Sequence, residues 1–143
     1  MKRSLLVWLA CALVANPVLA APDDDQVEAR RAALDLAGAW TNDGFKLRDG
    51  HLIGTFKVGE PKLVRVNLYA GNQYWFTVAG TPKAKKISIH VFDEGGKPVA
   101  FEPYADDSRA AAGFAPTASG PYLIKVEELE GEPTAFAIVY SYR

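Results

Sequence analysis

The sequence predicts a mainly β fold, an antiparallel β-sandwich or jelly roll of seven or eight strands preceded by one N-terminal α-helix. Two observations lead to this prediction. From residue 51 onward, short apolar–polar alternations are separated by turn-forming Gly, Pro, Asn and Asp at regular spacing. A single run rich in Ala, Leu, Glu and Arg stands before them, and no second run of that kind follows.

Residues 1–20 have the pattern of a secretory signal peptide. Lys2 and Arg3 form a basic start, residues 5–14 are apolar, and residues 18–20 supply small or aliphatic side chains for a cleavage site. A single-pass anchor is the weaker alternative, because residues 16–17 (Asn-Pro) interrupt a run already shorter than the roughly 20 residues that a membrane span needs. We therefore expect export and cleavage near Ala20.

The exported chain is expected to be periplasmic or secreted. Cleavage removes the only cysteine, Cys11, so no disulfide is expected; lipidation of Cys11 is a weaker alternative, because the apolar stretch before it is short. Losing Lys2 and Arg3 leaves 14 basic and 17 acidic side chains, a net charge of −3. No basic stripe is present that would favour nucleic acid or an anionic membrane as a partner.

Residues 21–50 are predicted to form an N-terminal helix and its exit loop. Aspartates at 23–25 precede a helix predicted over residues 26–39, because aspartate is a preferred N-cap residue. The apolar stripe of this helix is narrow and mostly alanine, which suits close packing on a flat sheet or weak docking. It comprises Ala29, Ala32, Ala33, Leu36 and Trp40.

Residues 51–143 are predicted to form the β-sandwich domain. Residues 103–109 are expected to be a polar loop, and residues 45–47 either a short strand or part of the exit loop. Strands are predicted over residues 52–58, 64–68, 74–78, 84–93, 98–101, 110–115, 122–127 and 134–142.

The clearest β signal is the stretch 62–80, in which two alternating runs flank a Gly-Asn turn and predict a hairpin. Side chains alternate between the two faces of a strand, so each run presents one apolar face. The predicted inward residues are Val64, Val66 and Leu68 in the first strand and Tyr74, Phe76 and Val78 in the second.

The outward face of this hairpin is the sharpest candidate binding site. A three-residue loop at 70–72 would pair Gln73 with Tyr69, Trp75 with Asn67 and Thr77 with Arg65. A tryptophan among amide, guanidinium and hydroxyl groups offers a platform for a sugar ring or a protein partner. The candidate ligand-binding residues are Arg65, Asn67, Tyr69, Gln73 and Trp75.

A competing interpretation, which we favour, buries Trp75 beneath the N-terminal helix. Ala135, Ala137 and Val139 on the outward side of the last strand are small and apolar, as expected beneath a packed helix. In that case Trp75 packs against Ala32, Ala33 or Trp40, and a platform exists only if the helix leaves its ring uncovered.

The order of signals also resembles the bacterial pre-peptidase C-terminal domain family of jelly-roll modules. The matching stretches are residues 54–56, 64–78, 87–99 and 118–126, the last reading ASGPYLIKV. The resemblance implies a jelly-roll fold and a non-catalytic module. Domains of this family usually accompany secreted peptidases, and some bind collagen, polysaccharide or calcium; this chain is expected to be a standalone exported copy.

Catalytic and metal chemistry have little support in the sequence. His51 and His90 fall in different segments without a triad or HExxH pattern, so we expect no enzyme. No cofactor is expected, and calcium is a weak possibility at Glu102, Asp106 and Asp107, whose spacing lacks the alternation of a calcium loop.

The sequence thus predicts an exported, non-catalytic β-sandwich binding module whose ligand is envelope polysaccharide or a protein. The alternative is a structural or assembly accessory of a larger envelope complex, contacting its partner through the helix and an exposed sheet edge. An enzyme ranks third, and the oligomeric state is not determined by the sequence.

Overall fold

The computed structural model describes residues 23–48, 50 and 52–143. Helix α1 (Asp24–Asn42) begins at the N-cap Asp23, whose side chain accepts a hydrogen bond from the backbone N–H of Gln26 at 2.8 Å. The Gln26 side chain accepts one from the Asp23 backbone N–H in return, completing a capping box. The predicted helix is confirmed but ends later than residue 39, so its last turn includes Trp40.

The described residues form one helix and nine strands, which confirms the predicted mainly β antiparallel class. The large sheet has the order β1-β9-β4-β7-β6, with β2 also pairing with β9; the small sheet has the order β3-β8-β5. The strands are β1 (Lys46–Leu47), β2 (Leu52–Phe56), β3 (Lys62–Leu68), β4 (Tyr74–Gly80), β5 (Ala84–Asp93), β6 (Glu102–Asp106), β7 (Arg109–Phe114), β8 (Gly120–Gly131) and β9 (Thr134–Tyr142).

The hydrophobic core lies between the two sheets. The predicted inward residues of β3 and β4 all contribute to it, so the alternation identified their faces correctly. Aromatic rings fill its centre: Phe56 stacks on Phe136 with ring centroids 4.1 Å apart, and Phe76 lies 5.3 Å from Tyr140.

The predicted hairpin at 62–80 is wrong, because β3 and β4 lie in different sheets. β3 pairs with β8, whereas β4 lies between β9 and β7, so Gln73–Tyr69, Trp75–Asn67 and Thr77–Arg65 are not cross-strand pairs. The connection carries the chain from one sheet to the other, and the Ser119 hydroxyl holds it by accepting a hydrogen bond from the Ala70 N–H at 2.9 Å. Alternation predicts which side chains face inward but not which strand lies alongside.

The predicted polar loop at 103–109 is also wrong, since this stretch contains β6, a tight turn and the start of β7. The turn residue Asp107 has a φ of 47°, a left-handed conformation that aspartate tolerates better than most residues. At residues 98–101, where a strand was predicted, the structure has only an isolated bridge between Phe92 and Pro98.

Helix α1 packs on the outer face of the large sheet, chiefly over β9 and β4. Small side chains from both partners allow close approach, and an exposed ion pair between Lys83 and Asp25 (2.6 Å) joins the start of the helix to the β4–β5 connection. We call this contact the helix seam; its buried members are Ala29, Ala33, Ala37, Ala79, Ala135, Ala137 and Val139.

Candidate functional site

Three layers stack at the end of the helix seam: Gly113 on β7, the indole of Trp75 on β4, and the indole of Trp40 in the last helical turn. The two indoles are parallel within 6°, with centroids 3.9 Å apart. Trp75 is opposite Gly113 in register, and a Cβ at residue 113 would lie 2.8 Å from Cζ2 of Trp75, so only glycine leaves room for this ring. The helix covers one face of the Trp75 ring through Trp40, as the favoured interpretation predicted, but Trp75 is half-buried rather than buried.

The indole of Trp40 is fixed by further contacts. Its Nε1–H donates a hydrogen bond to the hydroxyl of the buried Thr77 at 3.2 Å, and the Tyr104 ring meets it edge-on at 6.3 Å. Trp40 is therefore held in one orientation, although part of its surface remains open to solvent.

An open cleft of about 580 Å³ lies beside this stack, between the helix end and the large sheet. Its walls combine aromatic surface with both charge signs, and we call it the tryptophan cleft. Its lining residues are Trp40, Asp43, Phe45, Gln73, Tyr74, Trp75, Glu102, Gly113, Phe114, Ala115 and Arg143.

Arg143 forms one fixed wall of the tryptophan cleft. Its Nε donates a hydrogen bond to the Gln73 side chain at 2.7 Å, and a second guanidinium nitrogen donates to the Asp43 carbonyl. The guanidinium also lies 4.6 Å from the Phe45 ring centroid, within cation–π distance. These contacts hold a charged group in place before any partner arrives.

The structure divides the predicted binding residues between opposite sides of the sandwich. Gln73 and Trp75 line the tryptophan cleft. Arg65 and Asn67 are exposed on β3 of the small sheet, where Arg65 lies 3.6 Å from Glu94, and Tyr69 is exposed in the connection that follows. Because the predicted hairpin does not form, the five residues do not make one surface.

The three candidate calcium ligands are not brought together. Glu102 lines the tryptophan cleft, whereas Asp106 pairs with Arg109 at 2.8 Å and Asp107 occupies the turn. Within residues 23–48, 50 and 52–143, no group of three or more His, Cys, Asp or Glu side chains is arranged to hold a metal ion. His90 is exposed with its ring edge-on to Phe101 at 5.8 Å, and His51 lies outside the described residues, as does the predicted signal peptide.

A buried carboxyl was missed in the sequence. Glu128 is fully buried on the inward face of β8, and neither of its oxygens has a hydrogen-bond partner among the described residues. Burial raises the pKa of this carboxyl. The alternation of β8 signalled it, because Glu128 follows Tyr122, Ile124 and Val126 on the same face, but an acidic run usually indicates a solvated turn.

Sequence reasoning also missed Phe45, Phe114 and Arg143 as members of the tryptophan cleft. They come from the exit of the helix, the end of β7 and the end of the described chain, so only the tertiary fold gathers them. Trp40 was identified as a packing partner of Trp75 but not as part of a cleft.

Comparison with known proteins shows a similarity of fold to a solved structure. No family model matches the chain, and no curated protein matches it. Among solved structures, the chain is similar to PliG of Aeromonas hydrophila, a periplasmic lysozyme inhibitor of g-type lysozyme, with a TM-score of 0.51 and 22% sequence identity over 66% of this chain and 85% of that one. In the described part of the chain, no helix is long and apolar enough to cross a membrane. The chain thus shares its β-sandwich fold with a periplasmic lysozyme inhibitor.

Proposed function

We propose that this protein is an exported, non-catalytic module that binds a protein partner through the tryptophan cleft. The observation behind the proposal is that Trp40 and Arg143 line one open cleft beside the Trp75 stack. Tryptophan, tyrosine and arginine dominate the binding energy of protein interfaces, because each offers a large contact area together with a hydrogen-bonding group.

The cleft is also built in advance of binding. Trp40 is held by the stack and by Thr77, and Arg143 by Gln73 and Asp43. Ordering a long side chain at an interface costs about 0.5–1.5 kcal/mol, and groups that are already fixed avoid much of that cost. Both charge signs on the rim, Arg143 and Glu102, suit the mixed surface of a protein better than a neutral polymer.

A lysozyme is the first partner to test. The fold similarity to a periplasmic inhibitor of g-type lysozyme supports export, a non-catalytic role and a protein partner together. An envelope polysaccharide is less favoured, because the Trp75 ring lies between Gly113 and Trp40 and offers no free face for a sugar. We also propose a relationship to the pre-peptidase C-terminal family. It is supported by the matching stretches at residues 54–56, 64–78, 87–99 and 118–126.

The test measures binding of the exported protein to g-type lysozyme by calorimetry and, in parallel, inhibition of peptidoglycan hydrolysis. We expect a one-to-one complex whose affinity falls by about tenfold or more in Arg143→Glu, the size typical of a residue at the centre of an interface. Arg65→Glu is the matched control, because Arg65 is exposed on the opposite side of the sandwich and should leave the affinity unchanged.

Three results would argue against the proposal. Equal losses in Arg143→Glu and Arg65→Glu would show that binding does not depend on the cleft. Binding to a glycan array that is lost in Trp40→Phe would favour the polysaccharide ligand. Recovery from an envelope extract of one stoichiometric partner that still binds Arg143→Glu would favour the assembly role through another surface.

A further inference from the structure

Strand β2 forms an edge of the large sheet, and this edge is unpaired among the described residues. β2 pairs with β9 on one side only, and among the residues that the structure describes its other side has no backbone hydrogen bonds. An unpaired strand edge presents a row of N–H and C=O groups that an extended segment of another chain can join.

Two apolar pockets flank this edge, one on each face of β2. On the helix side, Ile53 and the helix residues Val27 and Leu34 line a groove of about 330 Å³. On the core side, Leu52 lines a crevice of about 240 Å³ between the two sheets, together with Val64. Neighbouring side chains of one strand thus lie in two different pockets, because they alternate between its faces.

An added strand would match this arrangement. Its successive side chains also alternate, so one would enter the groove and the next the crevice, while its backbone joined β2. Both pockets lie near or below the lower end of the range for small-molecule sites, about 300–1,000 Å³, which suits single side chains.

The charges on the rims point to the kind of segment. Among its described lining residues, the groove has two arginines, Arg30 and Arg31, and one carboxylate, Asp35. The Arg48 guanidinium lies 5.8 Å from the ring centroid of Tyr140, which lines the crevice. A segment with acidic flanks fits these rims. A second copy of this chain paired through β2 would instead bring two arginine rims together, which like-charge repulsion disfavours.

We propose that β2 is a strand-addition site for an extended segment of a partner protein, with adjacent aliphatic residues flanked by acidic ones. This surface is distinct from the tryptophan cleft, so it does not require the cleft to bind anything. The aliphatic pair would enter the groove and the crevice, the acidic flanks would face the arginines, and the backbone would extend the large sheet.

The probe is a capped eight-residue peptide with Val-Leu at its centre, Thr on either side and two acidic residues at each end. It is titrated into the ¹⁵N-labelled exported protein, with amide shifts and hydrogen exchange followed by NMR. We expect chemical shift changes centred on β2 and on the helix residues around Val27. We also expect slower hydrogen exchange, on binding, of the β2 amides that point away from β9.

Matched variants locate the site. Val27→Glu and Arg31→Glu should each weaken binding by about tenfold. Val58→Glu is the control, because Val58 is as exposed as Val27 (46% against 45%) but lines neither pocket. A peptide with lysine ends should bind the unaltered protein more weakly than the acidic peptide does. It should bind Arg31→Glu more tightly than it binds the unaltered protein. Arg143→Glu should leave peptide binding unchanged, which separates this test from that of the cleft.

The proposal is overturned if the peptide shifts amides only away from β2, if millimolar peptide causes no shift, or if Val58→Glu weakens binding as much as Val27→Glu. A concentration-dependent dimer of the unaltered protein that protects β2 amides without peptide would assign the edge to a second copy of the chain. That result would also overturn the proposal.

Discussion

The outer faces of the two sheets differ in what covers them. On the large sheet, outward positions of β4 and β9 include Ala79, Ala135, Ala137 and Val139, all buried beneath α1, and the small polar residues Thr77 and Ser141 are buried as well. On the small sheet, which no helix covers in the described structure, outward positions carry charged or amide side chains such as Arg65, Asn67 and Lys125, together with the exposed Leu63 and the half-buried Leu123. Small, uncharged outward side chains on β4 and β9 therefore accompany the packed helix, and Trp75 belongs to the covered face.

The largest expected effect comes from placing the same charge on the outer face of each sheet in turn. Ala137→Glu puts a carboxylate in the helix seam, at a position fully buried in the folded protein, and should lower the free energy of unfolding by about 3–5 kcal/mol. Asn67→Glu on the small sheet should change it by less than about 0.5 kcal/mol. Urea unfolding measures both. Similar values would mean that the helix does not pack on the large sheet in solution.

A smaller effect is expected where the covered face holds its aromatic stack. Gly113→Ala places a methyl group 2.8 Å from the Trp75 ring and should lower the free energy of unfolding by about 1–3 kcal/mol. Acrylamide should then quench tryptophan fluorescence more strongly, because the stack opens. Gly95→Ala is the control, since the nearest atom to its Cβ, in the Asp93 side chain, is 3.4 Å away. Unchanged quenching in Gly113→Ala would contradict the stacked arrangement.

The small sheet provides a comparison between its own two faces. Glu127 points outward on β8, with Lys125 at 3.8 Å, whereas Glu128 points inward and has no hydrogen-bond partner in the described part of the chain. Because burial raises the Glu128 pKa above its unfolded value, the folded state retains this proton to higher pH than the unfolded state. Stability should therefore fall as pH rises from about 4.5, the ordinary glutamate value, through the folded pKa, and remain lowered above it.

Glu128→Gln should remove this fall and stabilise the protein at pH 7 by about 1 kcal/mol, because burying a neutral amide costs less than burying a carboxylate. Urea unfolding at several pH values measures it. Glu127→Gln, one residue away and facing solvent, should leave the pH profile unchanged. If the free energy of unfolding depends on pH in the same way in Glu128→Gln and in the unaltered protein, burial does not raise the pKa of Glu128.

The smallest effect concerns the exposed ion pairs. Lys83–Asp25 (2.6 Å) joins the helix to the covered sheet, and Arg65–Glu94 (3.6 Å) lies on the open one. Asp25 raises the Lys83 pKa through a hydrogen bond and its charge, so the pair persists at neutral pH. A double-mutant cycle should give a small favourable coupling for Lys83–Asp25 that salt weakens, and none for Arg65–Glu94. Coupling of equal size in both pairs would contradict this ranking.

Much of the fold could be predicted from the sequence because its signals are local. The aspartates at 23–25 placed the start of the helix within two residues, and the period-two alternation identified the inward faces of β3 and β4. Strand partners could not be predicted in this way. The five residues between β3 and β4 can close a hairpin or cross to the other sheet, and the outcome depends on the distant strands β8 and β9.

The candidate site was predictable only in part, for the same reason. Trp75 and Gln73 were identified because a tryptophan on a polar outward face is unusual. Phe45 and Arg143 look ordinary in the sequence and join the cleft only because β9 returns beside β4, placing Arg143 opposite Gln73, where their backbones exchange two hydrogen bonds.

The position of β9 has a consequence for the order in which the protein assembles. Helix α1 and strands β1, β2 and β4 all pack against or pair with β9, which is the last strand along the chain. The contacts of these elements with β9 can form only once residues 134–142 are present, because they join distant parts of the sequence. In a chain delivered from its N-terminus, the large sheet and the full cover of the helix would therefore be completed late.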